Sequence, residues 1–142
     1  MLRVVIDVNV FVSALLRRNS VPAHVLHAWE NGLYELVVSA ALLHELEPVL
    51  RREHIARRIA PDAATDLLAV IRSDAILAND PPPVRHVPSD PDDDYLITLA
   101  LVADAHAIVT GDTALLALEL DRPRILTPRD FLTAHEPMAE SP

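Results

Sequence analysis

Leu2-Arg3-Val4-Val5-Ile6-Asp7 is the stretch on which the reading of the chain turns. Three consecutive β-branched residues suit a parallel strand covered on both faces, where no polar alternation is needed. The run then stops at a carboxylate. A charge at the end of a buried strand needs a partner, yet no lysine exists in the chain and the nearest arginine, Arg3, stands at the opposite end of the strand. Asp7 is therefore the first candidate for a functional acid.

Working outward, residues 10–16 read as a helix. Ser20 and Pro22 open another, with Val21, Val25, Leu26 and Trp29 as its apolar stripe and Asn31-Gly32 at its end. Residues 35–38, 107–110 and 124–126 are further short apolar strands. Ser39 is placed to cap a helix bearing Leu42, Leu43, Leu46, Val49 and Leu50. Residues 51–59 read as a basic helix, and residues 61–77 as one more. A proline-rich connector at 79–83 leads to an expected short edge strand at 84–87. Residues 92–103 form a helix with an acidic first turn, and residues 113–118 a short helix. Thr127-Pro128 opens a final helical turn through Phe131, and a frayed tail is expected from Ala134. Strands alternating with helices predict a three-layer α/β/α sandwich around a central, mainly parallel sheet. The expected organisation is one domain over residues 1–133 and a tail over 134–142.

The composition narrows the chemistry. A chain of 142 residues, half apolar and about a quarter charged, has the makings of one globular domain. There is no cysteine, which excludes disulfides, thiol nucleophiles and sulfur-ligated zinc. All twelve basic residues are arginine, which excludes Schiff-base chemistry and a phosphate-binding lysine. The two glycines, Gly32 and Gly111, cannot build a glycine-rich phosphate loop. No stretch approaches the roughly 18 apolar residues of a membrane helix. The first apolar run is too short for a secretion signal, so a cytoplasmic protein without membrane contact is expected.

The net charge of −9 works against nucleic-acid binding unless the acids are gathered around a cation. Their positions favour gathering. Asp7 follows the first strand and Asp112 follows the strand at 107–110. Asp93 and Asp94 open the helix before that strand. Glu45 is expected at the border of the buried face set by Leu42, Leu46 and Val49. In a parallel α/β sheet, reactive groups collect beyond the carboxyl ends of the strands. Four or five converging carboxylates would repel one another unless a hard cation lay between them. Oxygen-only donors suit Mg²⁺ or Mn²⁺ better than zinc, and such ions suit phosphodiester hydrolysis.

Each acid also has a plainer reading. Asp92, Asp93 and Asp94 complement a helix dipole, Glu45 can be a surface residue, and Asp112 can be a turn or cap residue. Asn9 reads as a helix cap or as a residue orienting Asp7, and Thr110 as a strand end or a donor to a metal's water. His24 and His27 share a helix face, and Ser13 and Ser39 lack a nucleophile context. Arg51, Arg52, Arg57 and Arg58 form a dense basic cluster, either a solvated face or a contact for RNA phosphates or an acidic partner segment.

Four segments together resemble the PIN-domain ribonucleases, especially the VapC-like toxins of toxin–antitoxin pairs. They are Val4-Val5-Ile6-Asp7-Val8-Asn9-Val10-Phe11-Val12-Ser13, Val38-Ser39 with Leu43-His44-Glu45-Leu46 and Val49-Leu50, Asp90-Pro91-Asp92-Asp93-Asp94-Tyr95-Leu96, and Ile108-Val109-Thr110-Gly111-Asp112-Thr113-Ala114-Leu115-Leu116. The resemblance implies a metal-dependent endoribonuclease, usually dimeric, held inactive by an antitoxin in its cleft. It carries Asp7, Glu45, Asp93 and Asp112 over as catalytic acids that hold one or two Mg²⁺ or Mn²⁺ ions, with Asp94 as the alternative third acid or a fifth ligand. It implies products with 5′-phosphate and 3′-hydroxyl ends. The family often has glycine where this chain has Asp104 or Ala105. Two other readings remain: a non-catalytic binding module on the same fold, and a haloacid-dehalogenase-like phosphatase suggested by Asp7-Val8-Asn9-Val10 and Gly111-Asp112. The latter family normally has Asp where Asn9 stands and usually needs a lysine.

Overall fold

The computed structural model describes residues 1–82 and 91–135, without the side chains of residues 91–93. In chain order the elements are β1 (Arg3–Ile6), α1 (Val8–Leu16), α2 (Val21–Glu30), β2 (Glu35–Ser39), α3 (Ala40–Arg51), α4 (Glu53–Ala56), α5 (Ala63–Asp74), β3 (Ile76–Ala78), α6 (Pro91–Val102), β4 (Ala107–Val109), α7 (Thr113–Leu116), β5 (Arg124–Leu126) and α8 (Pro128–His135). The edge strand expected at 84–87 lies outside the described residues, as does the tail beyond His135.

The five strands pair in the order β3-β2-β1-β4-β5, and every pairing is parallel. This is the expected α/β architecture. Val5 lies opposite both Val37 and Ile108, and Ile6 opposite Val109. The central strands are covered on both faces, so Val4, Val5, Ile6, Leu36, Val37, Ile108 and Val109 are wholly buried. That explains why their sequences show no alternation. The crossovers from β1 to β2 and from β2 to β3 carry α1 to α5, which pack on one another, as right-handed connections in one winding direction require. The chain then returns through α6, which lies against β1 and β4, to start β4 on the other side of β1. The direction of winding reverses between β1 and β4. A crevice opens at such a reversal, beyond the carboxyl ends of the two strands.

Several local expectations need correction. Residues 61–77 are not one helix: α5 ends at Asp74, and Ile76–Ala78 form the edge strand β3. Ala75 is extended (φ −79°, ψ 158°), which stops the helix and starts the strand. The basic stretch 51–59 contains only the single turn α4. Helix α1 begins at Val8 because Asp7, not Asn9, is its N-cap. Helix α8 continues past Phe131 to His135, whose ring packs on Phe131 at 5.0 Å. Phe131 in turn meets Tyr34 edge-on at 5.2 Å, and the Tyr34 hydroxyl donates to the Val25 carbonyl at 2.8 Å. Asp104 takes the left-handed conformation (φ 56°) in the turn before β4. Asp and Asn tolerate that conformation better than most residues, and ion pairs from Arg3 and Arg122 hold this one. Among the described residues no helix is long and apolar enough to cross a membrane.

Candidate active site

The crevice is built around one buried hydroxyl. Asp7 extends the β1–β4 ladder, its N–H donating to the Val109 carbonyl at 2.9 Å. Its backbone is extended (φ −61°, ψ 139°), and Oδ1 accepts the Asn9 N–H at 3.1 Å, capping α1. The other oxygen, Oδ2, accepts the Thr110 hydroxyl at 2.8 Å. Thr110 is wholly buried, and its Oγ1 in turn accepts the Asp112 N–H at 3.0 Å. Asp112 caps α7 through Oδ1, which accepts the N–H groups of Ala114 at 2.8 Å and Leu115 at 3.4 Å. Asp7 and Asp112 therefore flank a single side chain at the mouth of the crevice. Each carboxylate has one oxygen engaged in capping. Among the described residues, Oδ2 of Asp112 carries no hydrogen bond and remains available to a ligand.

The protein groups that partner Asp7 are thus a hydroxyl and the N-terminus of α1. Thr110, weighed as a strand end or a donor to a metal's water, donates its hydroxyl to Asp7.

The other acids lie on α3 and α6. Asp94 is only 4 % exposed, and the Thr98 hydroxyl donates to its backbone carbonyl at 2.9 Å. Asp92 and Asp93 lie in the first turn of α6, but their side chains are outside the described residues. Glu45 is exposed, a correction to the border position expected of it. The buried stripe of α3 is Leu42, Leu43, Leu46 and Leu50, with Val49 only half-buried, and that turns the helix so that Glu45 faces outward. Its charge still reaches Tyr95 on α6, where it helps raise the phenol's pKa.

Two residues that the sequence pattern did not single out complete this edge. Tyr95 donates its hydroxyl to Oδ1 of Asp80, and a second short contact joins Tyr95 Oη to Ser39 Oγ. Ser39 caps α3 by accepting the Leu42 N–H at 3.2 Å, and Asp80 accepts the Ala41 N–H at 3.2 Å. Burial first, then the Asp80 carboxylate, pushes the Tyr95 hydroxyl up to about 12. The Tyr95 hydroxyl, with the Ser39 hydroxyl and the Ala41 N–H behind it, holds Asp80 below the usual carboxylate range.

Among the described residues no three His, Asp or Glu side chains stand close enough together to hold a metal ion, a statement that does not extend to Asp93. In kind the donors at this edge suit a hard divalent ion: all are carboxylate oxygens, Asp94 is buried, and Asp112 keeps an oxygen unengaged. His24 and His27 lie beside each other on α2, their tilted rings 6.1 Å apart. The four arginines of the basic cluster are exposed, Arg51 at the end of α3, Arg52 between α3 and α4, and Arg57 and Arg58 just after α4, and Arg51 pairs with Glu47 at 3.0 Å.

Comparison with known proteins places these features in a family. The family model described as "PIN domain" matches residues 3–114, from the start of β1 into α7. The crystal structure of PAE2754 from Pyrobaculum aerophilum superposes with a TM-score of 0.62 over 94 % of this chain and 88 % of that chain, at 20 % identity, a likeness of fold. No curated protein matches the sequence.

Proposed function

The chain belongs to the PIN domain family, and on that premise we propose that it is a divalent-metal-dependent endoribonuclease. The family's fold is a nuclease fold, and the phosphatase reading of Asp7 and Asp112 has no support from the match. The observation that carries the proposal is the pairing of Asp7 and Asp112 across Thr110 at the point where the sheet reverses. Asp7, Asp112, Glu45 and Asp93, with Asp94 beside them, are the residues that would hold Mg²⁺ or Mn²⁺. When bound, such an ion neutralises phosphate charge and activates water.

The chain's own residues do the rest. The Thr110 hydroxyl and the Asn9 N–H fix the Asp7 carboxylate, so it loses little freedom on engaging a ligand. The N–H groups of α7 fix Asp112 in the same way. A carboxylate of the set accepts the proton of the attacking water. With a net charge of −9, the protein needs a cation at this edge before an RNA phosphate can approach.

The test is RNA cleavage by the purified protein with Mg²⁺, Mn²⁺ or a chelator. Cleavage that needs the metal and leaves 5′-phosphate ends supports the proposal. Absence of cleavage under every metal condition makes the chain a binding module on a nuclease fold. The wider reading is a homodimeric toxin whose cognate antitoxin covers the cleft. Growth arrest on expression, relieved by co-expressing the adjacent antitoxin, tests that role.

A further inference from the structure

The connection between Asp80, Tyr95 and Ser39 has no role in the chemistry described above, and it joins the two helices on which that chemistry depends. Asp80 lies two residues past β3, at the same carboxyl edge as Asp7. Its Oδ1 accepts from Tyr95 on the first turns of α6 and from the Ala41 N–H in the first turn of α3. The Tyr95 proton goes to Asp80, the Tyr95 and Ser39 hydroxyls are in hydrogen-bond contact, and Ser39 Oγ accepts from the Leu42 N–H. Three elements, β2–α3, the segment after β3, and α6, are thereby tied at one point. Tyr95 immediately follows Asp93 and Asp94, and Glu45 lies further along α3. Acids on separate helices can share an ion only if the helices keep their spacing within a few tenths of an ångström.

We propose that Asp80 and Tyr95 are positioning residues that set the distance between the acid of α3 and the acids of α6. The inference rests on the metal-dependent nuclease reading. Neither residue need touch the ion or the RNA. A hydrogen-bonded shell of this kind acts through ligand geometry, and its loss typically lowers metal affinity by about 10- to 100-fold.

The test compares Asp80→Ala, Asp80→Asn and Tyr95→Phe with the unaltered chain. Mn²⁺ binding is measured by calorimetry, the Mn²⁺ concentration for half-maximal RNA cleavage by titration, and folding by thermal melting. Asp80→Ala and Tyr95→Phe should bind Mn²⁺ about 10-fold more weakly or worse and need correspondingly more Mn²⁺ for cleavage. Their rate at saturating Mn²⁺ should stay within about 3-fold of normal, because the reacting groups are intact. Asp80→Asn keeps an acceptor oxygen and should restore most of the affinity. Lower melting temperatures with unchanged Mn²⁺ affinity would reduce the connection to a structural tie and overturn the inference alone. Tyr95→Phe, which removes one hydroxyl, gives that reading even if Asp80→Ala fails to fold. An unaltered chain that neither binds Mn²⁺ nor cleaves RNA overturns the nuclease reading, and the inference with it.

Discussion

Replacing Asp7 by Asn separates the structural work of this residue from its chemical work. The Asn side-chain oxygen can still accept the Asn9 N–H, and Asn and Asp serve about equally as N-caps. The loss falls on the other oxygen, which accepts the Thr110 hydroxyl at 2.8 Å. Turning that hydroxyl to suit an amide costs about 1 kcal/mol, the net worth of one hydrogen bond. Against it stands relief of like-charge repulsion with Asp112 across the same hydroxyl, and with the acids of α3 and α6, about 0.2–1 kcal/mol for each partly exposed pair. Without metal, Asp7→Asn should therefore melt slightly above the unaltered chain.

Metal reverses the order. At about 100 times its dissociation constant, an ion bound only by the native state adds about 2.7 kcal/mol, or roughly 8 °C for a chain of this length. If losing the Asp7 carboxylate weakens binding about 100-fold, the same concentration adds only about 0.4 kcal/mol, roughly 1 °C. Thermal melts with Mg²⁺, Mn²⁺ and a chelator read this directly, and RNA cleavage should fall by about 10²-fold or more. Equal metal-induced shifts in both proteins, or full metal-dependent cleavage by the variant, would refute the assignment.

Thr110→Val keeps the shape of a wholly buried side chain but leaves the Asp112 N–H without its acceptor and Oδ2 of Asp7 without its donor. It should cost about 1–3 kcal/mol and roughly 3–10 °C, measured by thermal melting, and an unchanged melting point would contradict the bridge. The chain's two tyrosines, Tyr34 and Tyr95, should both ionise late. Burial raises each above the value near 10 of an unfolded tyrosine, Tyr95 to about 12 and Tyr34 further. The folded state thus holds more protons than the unfolded one above pH ~10, and stability intact below that pH falls as the pH rises toward about 12. Tyrosinate absorbance and loss of circular dichroism should rise together; complete ionisation near pH ~10 with the fold intact would contradict this.

Four of the five strands were legible because each is a short apolar run bounded by polar residues; β1, β2 and β4 are buried, and the edge strand β5 ends in the buried Leu126. β3 was not legible. Ile76–Ala78 continues the apolar pattern of α5 without a glycine or proline between them, and as an edge strand it leaves Leu77 68 % exposed. Missing β3 also hid Asp80. An acid just past a strand is the signal that marked Asp7, but Asp80 stood in what read as a connector. Asp7 and Asp112 could be placed from strand ends alone, because sheet register fixes them. Glu45 could not, since a helix's rotation is decided by its neighbours: of the five expected apolar positions Leu42, Leu43, Leu46 and Leu50 are buried and Val49 only half-buried, which moves the centre of the buried face away from Glu45. The cap at Asp7 in place of Asn9 is a two-residue shift that no pattern of apolar residues can resolve.

The central claim is that a divalent ion sits at the carboxyl edge between β1 and β4. Crystals grown with Mn²⁺ and measured for its anomalous scattering test it most directly. The predicted result is a peak bounded by the carboxylates of Asp7, Asp112 and an acid of α6, with Glu45 drawn toward it. A peak elsewhere on the molecule, or none at a Mn²⁺ concentration that supports RNA cleavage, would contradict it.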